Sequence, residues 1–404
     1  MPFKMEIGHF RWMATHAAKY NLSSSAVKPF ELDDLDEDED VLSILEEMYG
    51  VKKDEVTLAH GTQEANMLAF ASLRKGVEGA YGLLPEYEPI RVLPDAFGMS
   101  WQPVTSVHDI PPHSLLIISN PNNPTGKFLD GARLEELSEE LTQKGSYAII
   151  DSIFSEFVNL KPSLPLSNVV FTSSTSKFFT MKGVKLGWLV GERQLVKEAA
   201  GYADLLSPGP YEIELKYATT ILKKREAVKD RNASIVGPNG QLLESMGIDY
   251  VKGMPIAFIG TDCNLDSVDL AELLLKRDVM TIPGKFFGVR RGVRVGLGTV
   301  TPKEFSEAIS LTSDLLRECG SGHATSSRKT SWQRRGLIND ADEGQVRPLR
   351  FRRHASDGFR AGRSRVKNGG EPPLSNFWRR LSARASNVAG PAKRDGANPS
   401  PGQG

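Results

Sequence analysis

The stretch Ser114-Leu-Leu-Ile-Ile-Ser-Asn-Pro-Asn-Asn-Pro-Thr-Gly126 sets an apolar run directly against a turn. A short β-branched run that stops at Pro-rich polar residues predicts a buried strand followed by a fixed loop. Two X-Pro steps and Gly126 hold that loop, and with it the side chain of Asn123. The pattern then repeats. Tyr147-Ala-Ile-Ile-Asp151 is an apolar strand ending on a carboxylate, and Val169 to Thr172 runs into Ser173-Ser-Thr-Ser-Lys177. Between the first two strands lies an amphipathic helix, Leu129 to Lys144, with Leu134, Leu137 and Leu141 at spacings of three and four. Strands alternating with helices predict a parallel sheet with helices on both faces. Ligands of such sheets sit beyond the carboxyl ends of the strands, where Asn123, Asp151 and Lys177 all stand.

Chemistry sharpens that placement. A carboxylate closing an apolar strand is costly unless a cation or donor meets it, so Asp151 implies a positive partner. A lysine among hydroxyls beyond a buried strand can be desolvated and lose its proton, as a Schiff-base nucleophile must. Three such residues, in this order, point to one site. Farther along, Glu212 to Ala233 reads as a long charged helix broken by the turn Gly237-Pro-Asn-Gly240. Strands at Pro255 to Ile259 and Val293 to Leu297, with helices Val268 to Lys276 and Pro302 to Arg317, predict a second, smaller α+β unit. The run Glu31 to Asp40 holds eight acidic residues in ten and reads as a solvated face; without His nearby it does not suggest a metal site. His60 and His113 read as local hydrogen-bonding residues.

The turn, the strand-terminal Asp and the Ser-x-Ser-Lys segment together resemble the markers of the class I/II pyridoxal-phosphate aminotransferases, of the fold-type I superfamily. The resemblance spans about Tyr20 to Arg317. It implies pyridoxal 5'-phosphate as cofactor, with Lys177 as the lysine of the internal aldimine and the proton shuttle. Asp151 then pairs with the pyridinium nitrogen and Asn123 hydrogen-bonds the cofactor's phenolic oxygen. Gly61-Thr62-Gln63 looks like the phosphate cup, which free N–H groups and the helix dipole favour on physical grounds. Ser174 and Lys185 match further phosphate ligands, Tyr87 the aromatic ring stacked on the pyridine, and Arg294 the guanidinium that forks onto the substrate carboxylate. Arg290 and Arg291 are neighbours that could take the place of Arg294. Two positions depart from the pattern: Phe154 stands where the family usually has Tyr, and Lys185 where it usually has Arg. The family's Tyr that reaches the phosphate from a neighbouring subunit has no clear match.

The implied activity is transfer of an amino group from an amino acid to a 2-oxo acid by a cytoplasmic homodimer. A lyase or decarboxylase on the same cradle, or a degenerate fold acting through a basic tail, are the alternatives. The expected division is a large cofactor-binding domain over 46–225, a smaller one from 1–45 and 226–319, and a tail over 320–404. The mostly parallel sheet belongs to the large domain.

Composition sets the outer limits. The chain has 404 residues, 40% hydrophobic, with 50 basic and 50 acidic side chains. That balance hides an asymmetry: from Ser321 onward there are 17 basic and 6 acidic residues, leaving 33 and 44 before it. The tail is rich in Gly, Pro, Ser and Arg and is expected to be disordered, since it cannot offset its ordering entropy by burial. Nucleic-acid binding by phosphate neutralisation is one reading of it, not favoured because regular Arg-Gly-Gly repeats and interleaved aromatics are missing. A shifted reading frame beyond the family's core is the other. No apolar run approaches the ~20 residues of a membrane helix, and the first residues lack the order of a secretory signal. Two cysteines, Cys263 and Cys319, exclude a disulfide scaffold and a Cys-rich zinc site, and a cytosolic protein is expected.

Overall fold

Alternation along the central strands explains the core. Leu115 and Ile117 point to one face of the sheet, Leu116 and Ile118 to the other, and all are buried. The computed structural model describes residues 8–28, 40–160, 164–181, 183–207, 209–261 and 263–321. The tail from 322 onward and the acidic run, except Asp40, lie outside the described residues.

The chain opens with helix α1 (Gly8–Thr15), strand β1 (Tyr20–Asn21) and helix α2 (Val41–Tyr49), the last capped by Asp40, whose carboxylate accepts from the Ser43 N–H. Then come β2 (Val56–Ala59), α3 (Thr62–Leu73), β3 (Gly79–Gly82), α4 (Glu88–Val92) and β4 (Trp101–Pro103). The quoted stretch forms β5 (Ser114–Ser119), followed by α5 (Gly131–Lys144), β6 (Tyr147–Asp151), β7 (Val169–Ser174) and β8 (Gly187–Gly191). These strands build one seven-stranded sheet in the order β2-β8-β7-β6-β5-β3-β4. It is parallel except at one edge, where β8 runs antiparallel to both β7 and β2. Helix α3 and the next helix, α6 (Arg193–Leu206), cover one face through Leu68, Phe70 and Ala199. Helix α5 covers the other through Leu134, Leu137 and Leu141.

Register matters more than outline. Ser119 stands opposite Asp151, and Asp151 opposite Thr172. Strands β5 and β6 therefore end level, β7 runs two residues farther to Ser174, and the loops leaving them converge.

Helices α7 (Glu212–Lys223) and α8 (Arg225–Ser245) follow. The expected break at Gly237-Pro-Asn-Gly240 does not occur; the kink falls at Lys224, and α8 runs straight through Pro238. Tertiary contacts outweigh local turn preference there. Asn239 is buried and its Nδ2 donates to the Leu297 carbonyl at 2.8 Å, while Gly240 lies so close under the Tyr250 ring that a side chain would overlap it. The last elements are β9 (Ile256–Ile259), α9 (Ser267–Leu275), β10 (Val279–Met280), β11 (Ile282–Pro283), β12 (Val293–Gly296) and α10 (Pro302–Ser321). Antiparallel β11-β12-β9 forms a small sheet, and β10 pairs with β1 from the other end of the chain. All described residues fall within one compact unit, Met1–Asp342. Cys263 and Cys319 are joined as a disulfide with Cα atoms 5.6 Å apart, tying α10 to the loop before α9. Two cysteines rule out a scaffold of bridges, but not this single one.

Candidate active site

Gly61 caps the N-terminus of helix α3 with a φ of +90° that only glycine adopts without strain. Its first N–H groups and dipole are aimed beyond the end of the sheet, an arrangement that binds anions. Gly187 on β8 presses against the Gly61 backbone with no room for a side chain between them. Beside this N-terminus Thr62 Oγ1 donates to Ser174 Oγ at 2.8 Å, and Ser176 Oγ lies 2.9 Å from Ser174 Oγ. The exposed Lys185 lies across Gly61. The expected cup residues Gly61, Thr62, Ser174 and Lys185 are thus together, and Ser176 joins them.

One turn into α3, Asn66 Nδ2 donates to Asp151 Oδ2 at 2.9 Å. Asp151 is buried, and burial pushes its carboxyl up to about 6 despite donation from Asn66 and from the Ile153 N–H. Lys177 is near enough to oppose that rise electrostatically. Its Nζ donates to Ser25 Oγ at 2.9 Å. The stretch Leu22 to Ser25 follows β1 and crosses directly over β12, where Gly296 N–H donates to the Leu22 carbonyl at 2.7 Å.

Arg294, on β12, is 1% exposed, and burial lowers its guanidinium to about 10. Its Nη1 donates to Asn123 Oδ1 at 3.0 Å and its Nη2 to the Ser23 carbonyl at 2.6 Å, leaving Nε without a partner. Arg290 and Arg291 are exposed, and Arg291 donates to Asn264 instead. Tyr87 receives a 3.4 Å hydrogen bond from Gln63 Nε2, and burial pushes its phenol up. His60 contacts Ser207 and Glu214, a local role. Phe154 is buried against Met254 and Ile256.

Three groups at the site escaped sequence reading. Asn66 carried a weak signal, a polar residue inside the Ala- and Leu-rich start of α3. Glu86 and His9 carried none. Glu86 is fully buried, accepts from the Ser119 N–H, the Ser119 hydroxyl and the Tyr87 N–H, and is pushed up to about 8 by burial. Ser119 Oγ in turn accepts from the Asn123 N–H at 2.8 Å. His9 packs edge-on against Tyr87, 5.6 Å between ring centres.

These features fit pyridoxal phosphate. The buried Asp151 carboxylate calls for a cation such as a protonated ring nitrogen. The α3 N-terminus with its hydroxyls and Lys185 calls for a dianion, and Lys177 reaches the space between.

Residues 50–311 match the sequence family described as aminotransferase class I and II. An aspartate aminotransferase of Thermococcus kodakarensis is 27% identical over 254 residues, 60% of this chain and 69% of that protein. A capreomycidine synthase of Streptomyces vinaceus is 24% identical over 276 residues, 61% and 71% of the two chains. Among solved structures, a PLP-dependent aminotransferase from Streptococcus suis superposes with a TM-score of 0.70 at 19% identity, covering 81% of this chain and 100% of that one. The PLP-dependent cyclase OrfR gives 0.68 at 20% identity over 79% and 99%. The matched stretch contains every cofactor-site residue named above except the segment before α2, and the chain belongs to the class I and II aminotransferases, enzymes that depend on pyridoxal phosphate.

Proposed function

We propose that this enzyme transfers an amino group from an amino acid to a 2-oxo acid, as a cytoplasmic homodimer. The observation that carries the proposal is the convergence of Lys177, Asp151 and the Arg294–Asn123 pair beyond three neighbouring strand ends. Bound pyridoxal phosphate supplies an electron-withdrawing ring that takes up the electron pair when the substrate Cα–H bond breaks. Asp151 keeps a proton on the ring nitrogen, and Asn66 orients its carboxylate. Lys177 would anchor the cofactor through its Nζ, and the same amine would carry the substrate Cα proton. Ser25 holds its amine at the mouth of the site. Arg294 binds the substrate carboxylate with its fork, while Asn123 aligns both Arg294 and the cofactor's phenolic oxygen. Gly61, Thr62, Gln63, Ser174 and Lys185 receive the phosphate, and Tyr87 covers the ring.

Exposed Leu205, Leu206, Tyr211 and Ile213, from the end of α6 into α7, support the homodimer. Tyr211 lies 5.7 Å from the His60 ring, next to Gly61, so a second copy seated there would border the phosphate site.

Incubating the loaded enzyme with an amino-acid panel and 2-oxoglutarate tests the reaction. Transfer gives keto acid and glutamate in equal amounts. Ammonia or carbon dioxide released without an acceptor would instead establish a lyase or decarboxylase. Phe154, packed against Met254 and Ile256, brings no hydroxyl where the family usually has one, which removes a donor to the phenolic oxygen in either reaction.

A further inference from the structure

Between α1 and the strand ends lies a cavity of about 330 Å³. Lys177 and Tyr87 reach it from the sheet side, Ser25 from the crossing segment, and Phe10, Met13 and Ala14 from α1. Small-molecule sites span roughly 300–1,000 Å³, so this one suits a single amino acid. Phe10 and Met13 are 41% and 37% exposed, the largest apolar side chains of α1 left facing solvent. His9 also lines the cavity. It is buried among Phe10, Tyr87 and Phe287, all edge-on to its ring. Burial, together with the positive charges of Arg294 and Lys177, lowers its imidazole to about 2 and keeps it neutral. Its Nδ1 is buried without a partner.

Apart from Lys177, the described residues lining the cavity therefore present no cation. Arg11, Arg91 and Lys285 line a different cavity, beside Gly8 and Trp12. A carboxylate or phosphate at the far end of a substrate would face the apolar side chains of Phe10, Met13 and Ala14 and meet no cation but Lys177 among the described residues lining the cavity. An apolar side chain would bury against the same wall at a gain.

We propose that this cavity receives the substrate side chain and selects uncharged, largely apolar amino acids, with the unpartnered Nδ1 of His9 as a hydrogen-bonding group in its wall. The proposal rests on the amino-transfer reading, in which Arg294 takes the α-carboxylate and Lys177 the Cα proton. His9 Nδ1 is left for a hydroxyl, amide or thioether on the substrate, or for an ordered water bridging to it.

Calorimetric titration of the loaded enzyme with two unreactive acids reads the pocket without turnover. The expected result is that 4-methylpentanoate binds at least about tenfold more tightly than succinate. Met13→Arg places a cation on the cavity rim, and it should tighten succinate by about tenfold while weakening 4-methylpentanoate. Succinate binding as tightly as 4-methylpentanoate to the unsubstituted enzyme, or neither acid binding, overturns the proposal. Keto-acid formation from the donor panel is scored separately. A panel without product sinks amino transfer, whereas product confined to aspartate or glutamate, with succinate the tighter ligand, sinks only the apolar pocket.

Discussion

At the residue scale, Lys177 and the buried carboxylates are the sharpest tests. Lys177→Ala should abolish fixation of the cofactor by borohydride and lower turnover by at least ~10²–10⁴. A pyridoxyl group recovered on another lysine would show that the anchor lies elsewhere. Glu86 makes a pH prediction. Its folded value of about 8 exceeds the ordinary 4.5, so its stabilising contribution is complete below 4.5 and lost as pH rises through 8. His9 has the opposite sign: lowered from 6.5 to about 2, it contributes fully above 6.5 and loses that contribution as pH falls. The interval from 6.5 to 8 therefore isolates Glu86. Denaturant unfolding of the cofactor-free protein should show stability falling across it by on the order of 2 kcal/mol. Glu86→Gln should flatten the slope, and an unchanged slope would place the titrating group elsewhere.

At the element scale, the segment Leu22 to Ser25 is held over the site by β12. Gly296 is the reason it fits, since a Cβ there would overlap the Ser24 carbonyl. Gly296→Ala must push the segment away from Arg294, whose Nη2 donates to the neighbouring Ser23 carbonyl. Overpacking of this kind costs about 1–3 kcal/mol. Thermal unfolding should register that loss, and the KM for the amino donor should rise more than kcat falls. A variant with unchanged melting temperature and KM would mean that the segment does not position Arg294.

At the scale of the whole molecule, two surfaces make predictions. Leu205→Glu combined with Leu206→Glu should yield monomers in sedimentation, because the charge would be buried at the proposed interface. A dimer that survives both changes pairs through another face. The second surface is the tail. Its composition argues against packing on α10, so a chain ending at residue 321 should keep its fold, cofactor content and transamination rate. It should also lose 17 basic and 6 acidic groups, Ser321 being neutral, and elute later from an anion exchanger. Loss of cofactor on truncation would show that the tail belongs to the fold.

What lay open in the sequence was short-ranged. Strand ends at Ser119 and Asp151, a third strand read as ending at Thr172 that runs on to Ser174, the turn around Asn123, and Lys177 just beyond are set by periodicity and turn chemistry within a few residues. Those residues, in that order, carry the family resemblance that implied the cofactor. What only the tertiary structure decided involves partners far apart along the chain. Lys177 meets Ser25 across 152 residues, and Arg294 meets Ser23 across 271. The local Pro-Asn-Gly signal at 238–240 yields to Asn239 reaching Leu297, and β8 turns antiparallel at the sheet edge. Cys263 finds Cys319, and Glu86 finds Ser119 beneath the Asn123 turn. His9 had no local pattern to betray it. Its neutrality comes from the aromatic rings and cations that the fold gathers around it, and burial of that kind is a property of the packed chain alone.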